Sequence, residues 1–425
     1  MLVLMLIICL VLFAAGTPVA FAIGLAGAVT VVMSDLPLTL VPHRMVFQLD
    51  SYSLLAAPYF ILFGYLMEKG GISARLFAFA HALTRHWRGG LGQATMGASI
   101  GMAGLSGSGI ADVSAIGAVA APGMKDKGYN PSFTAAVLSS GGFLAPIIPP
   151  SILMIVYGSI TTVSIAALFI AGIIPGILLA VLFMIVIWWR SKRLGYGGEQ
   201  RASAREIWET FRSAFWALIA PILLVRGIVV GVFTATEAGA VAAAYAFFVG
   251  TFVYRELKPR HYFEIFLKAG LMSGGILIII ATAALLGWLL QRFNLPQMTV
   301  DFLATVTTSP SLLLLLIMGM LLVIGCFIEV LAAAIILIPV LAPVGAEFGF
   351  NPLHFAMVVL LSLQIGTVTP PMGVYVFLAN RIAGANLAAT FRELVPFLFV
   401  MLVVTLLVAY VPMLTMLLPG WLYGG

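Results

Sequence analysis

"PGMKDKGYNPSFTAAVLSSGGFLAPIIPP", residues 122–150, lies without a gap on "PVGAEFGFNPLHFAMVVLLSLQIGTVTPP", residues 343–371, when the chain is shifted by 221 positions. Eight of the 29 paired positions are identical, including Asn130, Pro131 and the pair Pro149 and Pro150. Chance at this composition gives about two or three. Both copies are apolar enough to enter a membrane, yet each ends on two consecutive prolines. A proline inside a helix removes a backbone donor and clashes with the carbonyl four residues earlier, at a cost of about 3 kcal/mol. In lipid the freed groups need partners, so such a stretch survives only when it is buried in protein or lines a wet cavity.

The similarity extends outward. Gly104 falls on Gly325, and at a shift of 223 "FGYLMEKGGI" (63–72) falls on "LGWLLQRFNL" (286–295). The chain that carries this repeat has 425 residues, 62% hydrophobic and 8% charged, with a mean hydropathy of +1.16. That composition excludes a soluble globular domain. Spans about 20 residues long are read at 1–15, 18–33, 52–69, 131–157, 163–190, 213–230, 234–254, 270–291, 352–379 and 393–419. The first run lacks the basic start and cleavage site of a secretory signal and reads as mature structure. Two further apolar stretches, 92–124 and 311–345, carry glycine or polar residues at their midpoints, "GLSGSGIAD" and "VIGCFIEV". Limbs of about 16 residues rise only about 24 Å, too little to cross, so each stretch reads as a re-entrant hairpin. "ISARLFAFAHALTRHW" and "REIWETFRSAFW" have apolar residues at helical spacing and read as surface helices, or as faces that dock a partner helix.

With one crossing per span and none per hairpin, eighteen of the 21 Lys and Arg residues share one side, leaving Arg44, Arg226 and Arg292 opposite. The crowded side is cytoplasmic by the positive-inside rule, which accounts for the net charge of +6 and places both termini in the periplasm. Each repeat then has five crossings, and an odd number turns the second copy upside down. The fold class is an all-α polytopic membrane protein with two inverted-topology repeats, each holding a re-entrant hairpin and a proline-broken helix. Such repeats point to secondary transport, with substrate and ions bound where the interrupted helices meet.

Broken segments expose carbonyls, which with nearby hydroxyls form hard oxygen ligands suited to a cation such as sodium. Their helix N-termini attract carboxylates. Ser106 and Ser108 flank the first hairpin tip, Ser139 and Ser140 precede the first break, and Thr367 and Thr369 lie in the second. Three carboxylates stand in apolar surroundings. Asp112 and Glu329, at the two tips, read as site residues, because an acid at a helix centre costs about 2.5 to 3.5 kcal/mol unless it faces protein, ion or water. Glu237, near a span start, reads equally as a cap. Two short stretches also match serine-hydrolase motifs. "GLSG" (104–107) matches the serine motif of intramembrane serine proteases of the rhomboid type, and "GASIG" (97–101) matches GxSxG. A serine nucleophile needs a nearby base, and all five histidines fall in loops or at span edges. HExxH is absent, and Cys9 and Cys326 form no CxxC motif.

"LSGSGIADVSAIGAV", "SSGGFLAPIIPPS", "GVFTATEAGAVAAAYA" and "GTVTPPMG" closely resemble the large membrane subunit of tripartite ATP-independent periplasmic (TRAP) transporters, typified by the dicarboxylate transporter large permease. The resemblance implies a sodium-coupled elevator in the bacterial inner membrane and no organic cofactor. Its scaffold would comprise 1–91 and 191–310, and its transport domain 92–190 and 311–425. It also implies a small membrane subunit and a periplasmic substrate-binding protein delivering an organic acid such as sialic acid or a four-carbon dicarboxylate, with lipid around the complex and no nucleic acid. Because the chain begins directly on its first span, the small subunit is expected as a separate chain. Carried over by motif, one sodium lies between Ser106, Gly107, Ser108, Gly109 and the break from Pro146 to Pro150. A second lies between Gly325 and Thr367, Val368 and Thr369. Substrate contacts are expected from Asp112, Ser139, Ser140, Glu329 and Gly366. The chain departs from the family at Ala235, often proline, and at Glu329, commonly aspartate, which moves that carboxylate by a methylene. A single-component sodium-coupled anion transporter of related architecture is the alternative reading.

Overall fold

The computed structural model describes residues 1–307 and 309–423, so Thr308, Gly424 and Gly425, which fall in the expected segments 191–310 and 311–425, lie outside the described residues. The described residues are helical, with no strand. Among the described residues seven helices are long and apolar enough to cross a membrane, or eight if Leu40–Leu49 and Tyr52–Lys69, bent by 64°, form one span.

The helix boundaries reproduce the sequence repeat. The second limb of the first hairpin, Gly109–Asp126, and that of the second, Val330–Glu347, begin and end 221 residues apart. The same holds for Pro131–Leu144 and Pro352–Ile365, the first halves of the broken helices. One local cause starts both. Asn130 and Asn351 cap them, their side chains accepting backbone N–H groups of Ser132 at 2.8 Å and Leu353 at 3.0 Å, with proline at the first helical position. The helices resume as Ile152–Ile160 and Val374–Ala383.

Several expected boundaries change. The hairpin limbs, Gly90–Ser106 with Gly109–Asp126 and Pro310–Phe327 with Val330–Glu347, have 17 or 18 residues, because each tip uses only two. At 18 residues the second pair reaches spanning length by itself. The surface helix expected at 205–216 and the span at 213–230 form one helix, Ala204–Val229, because Ser203 caps its start and nothing interrupts it before Pro221. The last span ends early, at Tyr410, and Met413–Tyr423 restarts beyond Pro412. Leu40–Leu49 is a helix where none was expected, and the first two helices are short, at 13 and 15 residues.

The arm Ile72–Thr84 lies on the first hairpin. A Cβ added at Gly97 or Gly101 would sit 3.2 Å from Ala80 or Leu76, so the absent side chains permit the approach. Of its expected apolar face, Ile72 and Leu76 are buried while Leu83 and Trp87 stay exposed. The equivalent Leu295–Val306 begins 223 residues later. Helices Leu2–Ala14 and Val19–Met33 pack through Met5, Cys9, Ile23 and Ala26 on Leu285, Leu286 and Leu289 of the long helix Pro259–Arg292. A smaller apolar cluster joins that helix and Ala56–Lys69 to the broken helix and second hairpin, through Ile61, Ile280 and Ala283 against Ile152, Val156 and Ile335.

Two long helices at matching places in the repeats, Ile165–Leu194 and Leu387–Tyr410, are tied by Arg190 and Glu393, whose side chains are only 20% and 15% exposed. The guanidinium donates twice to one carboxylate oxygen. Removing one partner of such a pair leaves the other charge short of partners. Glu393→Ala is expected to destabilise the detergent-solubilised protein by about 2 kcal/mol, read as a lowered melting temperature, with Glu393→Gln retaining part of the loss. A melting temperature unchanged in both variants refutes this role for the pair.

Candidate functional site

The paired prolines set the local chemistry. The carbonyl of residue i in a helical turn is met by the N–H of residue i+3 or i+4, and for Pro146 and Thr367 both of those residues are proline. Each carbonyl therefore loses its helical donors. In the first break Ser151 repairs the loss, its hydroxyl donating to the Pro146 carbonyl at 2.7 Å while capping the helix that follows. Residue 372, which matches Ser151 in the second repeat, is Met, so the Thr367 carbonyl has no such side-chain donor. Both proline pairs have a cis peptide bond.

Each hairpin tip lies against its own break. At the first tip Gly107 takes φ +59, a conformation natural to glycine, and a Cβ there would stand 2.7 Å from the Pro150 carbonyl oxygen. Ser108 is the extended N-cap residue of the next limb, and Gly109 touches the Tyr375 ring and the Gly142 carbonyl so closely that a Cβ would overlap them. At the second tip a Cβ on Gly325 would lie 2.7 Å from the Leu363 carbonyl oxygen, and one on Gly366 would overlap the Gly325 backbone. Met372 N–H donates to the Cys326 carbonyl at 3.1 Å, closing this contact. The structure therefore brings together Ser106, Gly107, Ser108 and Gly109 with the first break, and Gly325 with Gly366, Thr367, Val368 and Thr369.

The polar side chains divide between local and open roles. Ser106 donates a hydrogen bond to Asp112 Oδ1, and Asp112 Oδ2 is buried without a partner among the described residues. Thr367 and Thr369 donate to the carbonyls of Gln364 at 2.7 Å and Ile365 at 2.8 Å, and Val368 is a core side chain. Ser139 and Ser140, expected to meet substrate, are wholly buried and donate to Ala135 and Ala136 of their own helix at 2.7 and 2.8 Å. Glu329 is the N-cap of its limb and accepts the Ala332 N–H at 3.0 Å, where the helix dipole favours negative charge. Glu237 forms a capping box with Thr234 at an exposed helix start. Ser106 is paired with a carboxylate, while the buried histidine, His354, bonds Thr415 and Ala409.

Residue pattern alone did not single out Tyr375 and Gln364. Tyr375 accepts from Gln364 Nε2 at 3.1 Å, and its carbonyl lies 3.4 Å from Ser139 Oγ, so it links the first tip, the first broken helix and the second break. Gln364 Oε1 is buried and unpartnered. Ser151 carried a signal, a hydroxyl directly after one proline pair and not the other. A cavity of about 620 Å³ opens beside the first tip, walled by Ser106, Ser108 and Ile152 on one side and by Tyr65, Glu68 and Lys268 on the other. Its volume suits a small organic ligand.

The family model described as "Tripartite ATP-independent periplasmic transporter, DctM component" matches residues 6–414. The chain belongs to this family. It is 36% identical over 411 residues to the sialic acid TRAP transporter large permease protein SiaM of Vibrio cholerae, covering 96% of each chain. It is 36% identical to the 2,3-diketo-L-gulonate large permease YiaN of Escherichia coli, again covering 96% of each, and 37% identical to the C4-dicarboxylate large permease DctM of Pseudomonas aeruginosa, covering 94% of each. Among solved structures, the Alcanivorax borkumensis YdaH transporter shares the fold at a TM-score of 0.50 with 18% identity, over 90% of this chain and 89% of that one. The tips of this chain need glycine for the approaches described.

Gly366→Ala is expected to abolish function and destabilise the protein by about 1 to 3 kcal/mol through overpacking. Gly123→Ala, where an added Cβ meets nothing within 4 Å, is expected to be neutral. Melting temperatures of the two variants check this, and equal values would show that the second tip tolerates a methyl group.

Proposed function

We propose that this TRAP large permease component imports an organic acid of the sialic acid or four-carbon dicarboxylate class, driven by sodium, by an elevator motion of its hairpins and broken helices. The observation that carries the proposal is the placement of both hairpin tips on proline-broken backbone, with a ligand-sized cavity between the first tip and the Tyr65 and Lys268 wall. Sodium is cargo in this reading. It would be held near the second tip by the carbonyl of Thr367 and near the first by the Asp112 carboxylate with Ser106, hard oxygens in a dry setting. The acid would occupy the cavity beside Ser106 and Ser108.

The elevator reading is supported by the apolar contact of Ile152, Val156 and Ile335 on Ile61, Ile280 and Ala283, a surface with few directional bonds to break during sliding. On the positive-inside assignment, with both termini periplasmic and the two repeats inverted, Lys268 marks the cytoplasmic end of the cavity, the arrangement of a release state. The relatives are named for sialic acid, 2,3-diketo-L-gulonate and C4-dicarboxylate, which supports an acidic substrate. A small membrane subunit would cover part of the apolar outer surface, and a periplasmic binding protein would deliver the acid.

Uptake into proteoliposomes is expected only when the small subunit, the binding protein and a sodium gradient are all present. Uptake by this chain alone would instead establish a single-component transporter. Ser106→Ala and Thr369→Ala are each expected to weaken the sodium dependence of uptake while the protein stays folded. An unchanged sodium titration in both removes these residues from the ion sites.

A further inference from the structure

The sequence repeat pairs Gly64, Tyr65 and Glu68 with Gly287, Trp288 and Gln291 at a shift of 223. The first three residues wall the cavity at the first tip, and the second three wall another cavity, of about 180 Å³. Its remaining walls also match, since Arg44, Phe47 and Gln48 come from the helix that precedes the bend, as Lys268, Leu271 and Met272 do from the long helix of the other repeat. Ile335 and Pro339 of the second hairpin and Ile160 of the broken helix close it. The apolar cluster that includes Ile61, Ile152, Ile280 and Ile335 contributes to both cavities and lies between them.

The two cavities differ in charge. In the first, Lys268 is paired with Glu264 at 2.7 Å, a carboxylate it shares with Lys69, and Glu68 adds a further acid to the wall. In the second, Arg44 lies over the Trp288 ring at 4.6 Å with Arg292 over the same ring at 5.7 Å. Among the described residues neither arginine has a carboxylate within ion-pair distance. Arg44 Nε is buried without a hydrogen-bond partner. These are two of the three basic residues that the charge distribution leaves on the non-cytoplasmic side, and both converge on one indole. A rule that keeps cations off that side is broken here twice around one indole.

We infer that the cavity of Arg44, Gln48, Trp288 and Gln291 is a reception site for the carboxylate of the incoming acid on the periplasmic side, the repeat-related counterpart of the Ser106 cavity. The inference rests on the import reading and on the assignment of sides. A guanidinium fork matches a carboxylate in shape and charge, and the amide of Gln291 adds a neutral donor at its rim, while Gln48 Nε2 donates to the Ser159 carbonyl at 3.3 Å. The difference between the two cavities gives direction. An unpaired arginine holds the anion outside, and a lysine already paired with Glu264 holds it less strongly inside.

Ala284, half-buried on the wall of this cavity, reports on the field there. In a Cys9→Ala, Cys326→Ala background, Ala284→Cys is treated in spheroplasts with membrane-impermeant methanethiosulfonates carrying either a sulfonate or a trimethylammonium group. The sulfonate reagent is expected to react faster, Arg44→Gln to cut the ratio of the two rates about tenfold, and Arg44→Lys to restore most of it. Ser114→Cys, in the other cavity, is treated with the same reagents in inside-out vesicles and should show no change with Arg44→Gln. A ratio insensitive to Arg44→Gln overturns the site. Uptake of labelled succinate and N-acetylneuraminate, with all partners present, separates this from the import reading. Arg44→Gln is expected to raise the half-saturating concentration with the sodium dependence unchanged, and an unchanged half-saturating concentration would take the cavity off the route. If the unsubstituted complex moves neither acid but the ratio still falls, the anion site stands and the import reading with these acids falls.

Discussion

Two consecutive prolines inside an apolar helix withdraw two backbone donors where no water can replace them, and the arrangement of the site follows from that deficit. Each hairpin tip comes in at its own break, the first on the Pro150 carbonyl and the second on Gly366, the residue before Thr367. The tips approach closely because glycines stand at the contacts, Gly107 at Pro150 and Gly325 at Gly366. A side chain at any of these points would hold the tip away from the break and leave the polar backbone facing hydrocarbon.

The two halves solve the same problem differently. In the first, the Ser151 hydroxyl satisfies the Pro146 carbonyl, and the open polar group is a carboxylate oxygen of Asp112. In the second, Met stands where Ser151 would, so no hydroxyl at that position reaches the Thr367 carbonyl, while Glu329 caps a helix. A duplicated architecture thus carries two chemically distinct breaks, one beside a carboxyl group and one beside backbone oxygen alone. The outer cavities follow the same rule, since Glu68 and the paired Lys268 occupy one and Gln291 and the unpaired Arg44 the other.

Much of this was legible in the residues. Asn-Pro starts both broken helices, so their first residues could be read directly, and the double prolines marked where they stop. The juxtaposition of tip and break followed from the family motifs. Side-chain roles were less legible. Ser139 and Ser140 look like ligands in a string of letters, but a helical serine points its hydroxyl at the carbonyl four residues back, and both do so here. Tyr375 gave no sign, because one tyrosine among twelve has no pattern, and its importance comes from three segments meeting around it. The continuous helix Ala204–Val229 reads as two in the sequence because its polarity changes along its length, and polarity does not interrupt a helix unless a breaker stands at the change.

By itself the sequence determined the membrane setting, the internal repeat, the places where the backbone must break and the family. Composition, period and proline act locally and survive being read one residue at a time. Only the tertiary structure decided which polar atoms remain open once neighbours are placed, that Asp112 keeps one free oxygen and Ser140 none, and that Arg44 meets Trp288 across 244 residues. Those outcomes depend on distances between segments far apart in the chain, and the number of partners a polar atom finds is a property of packing.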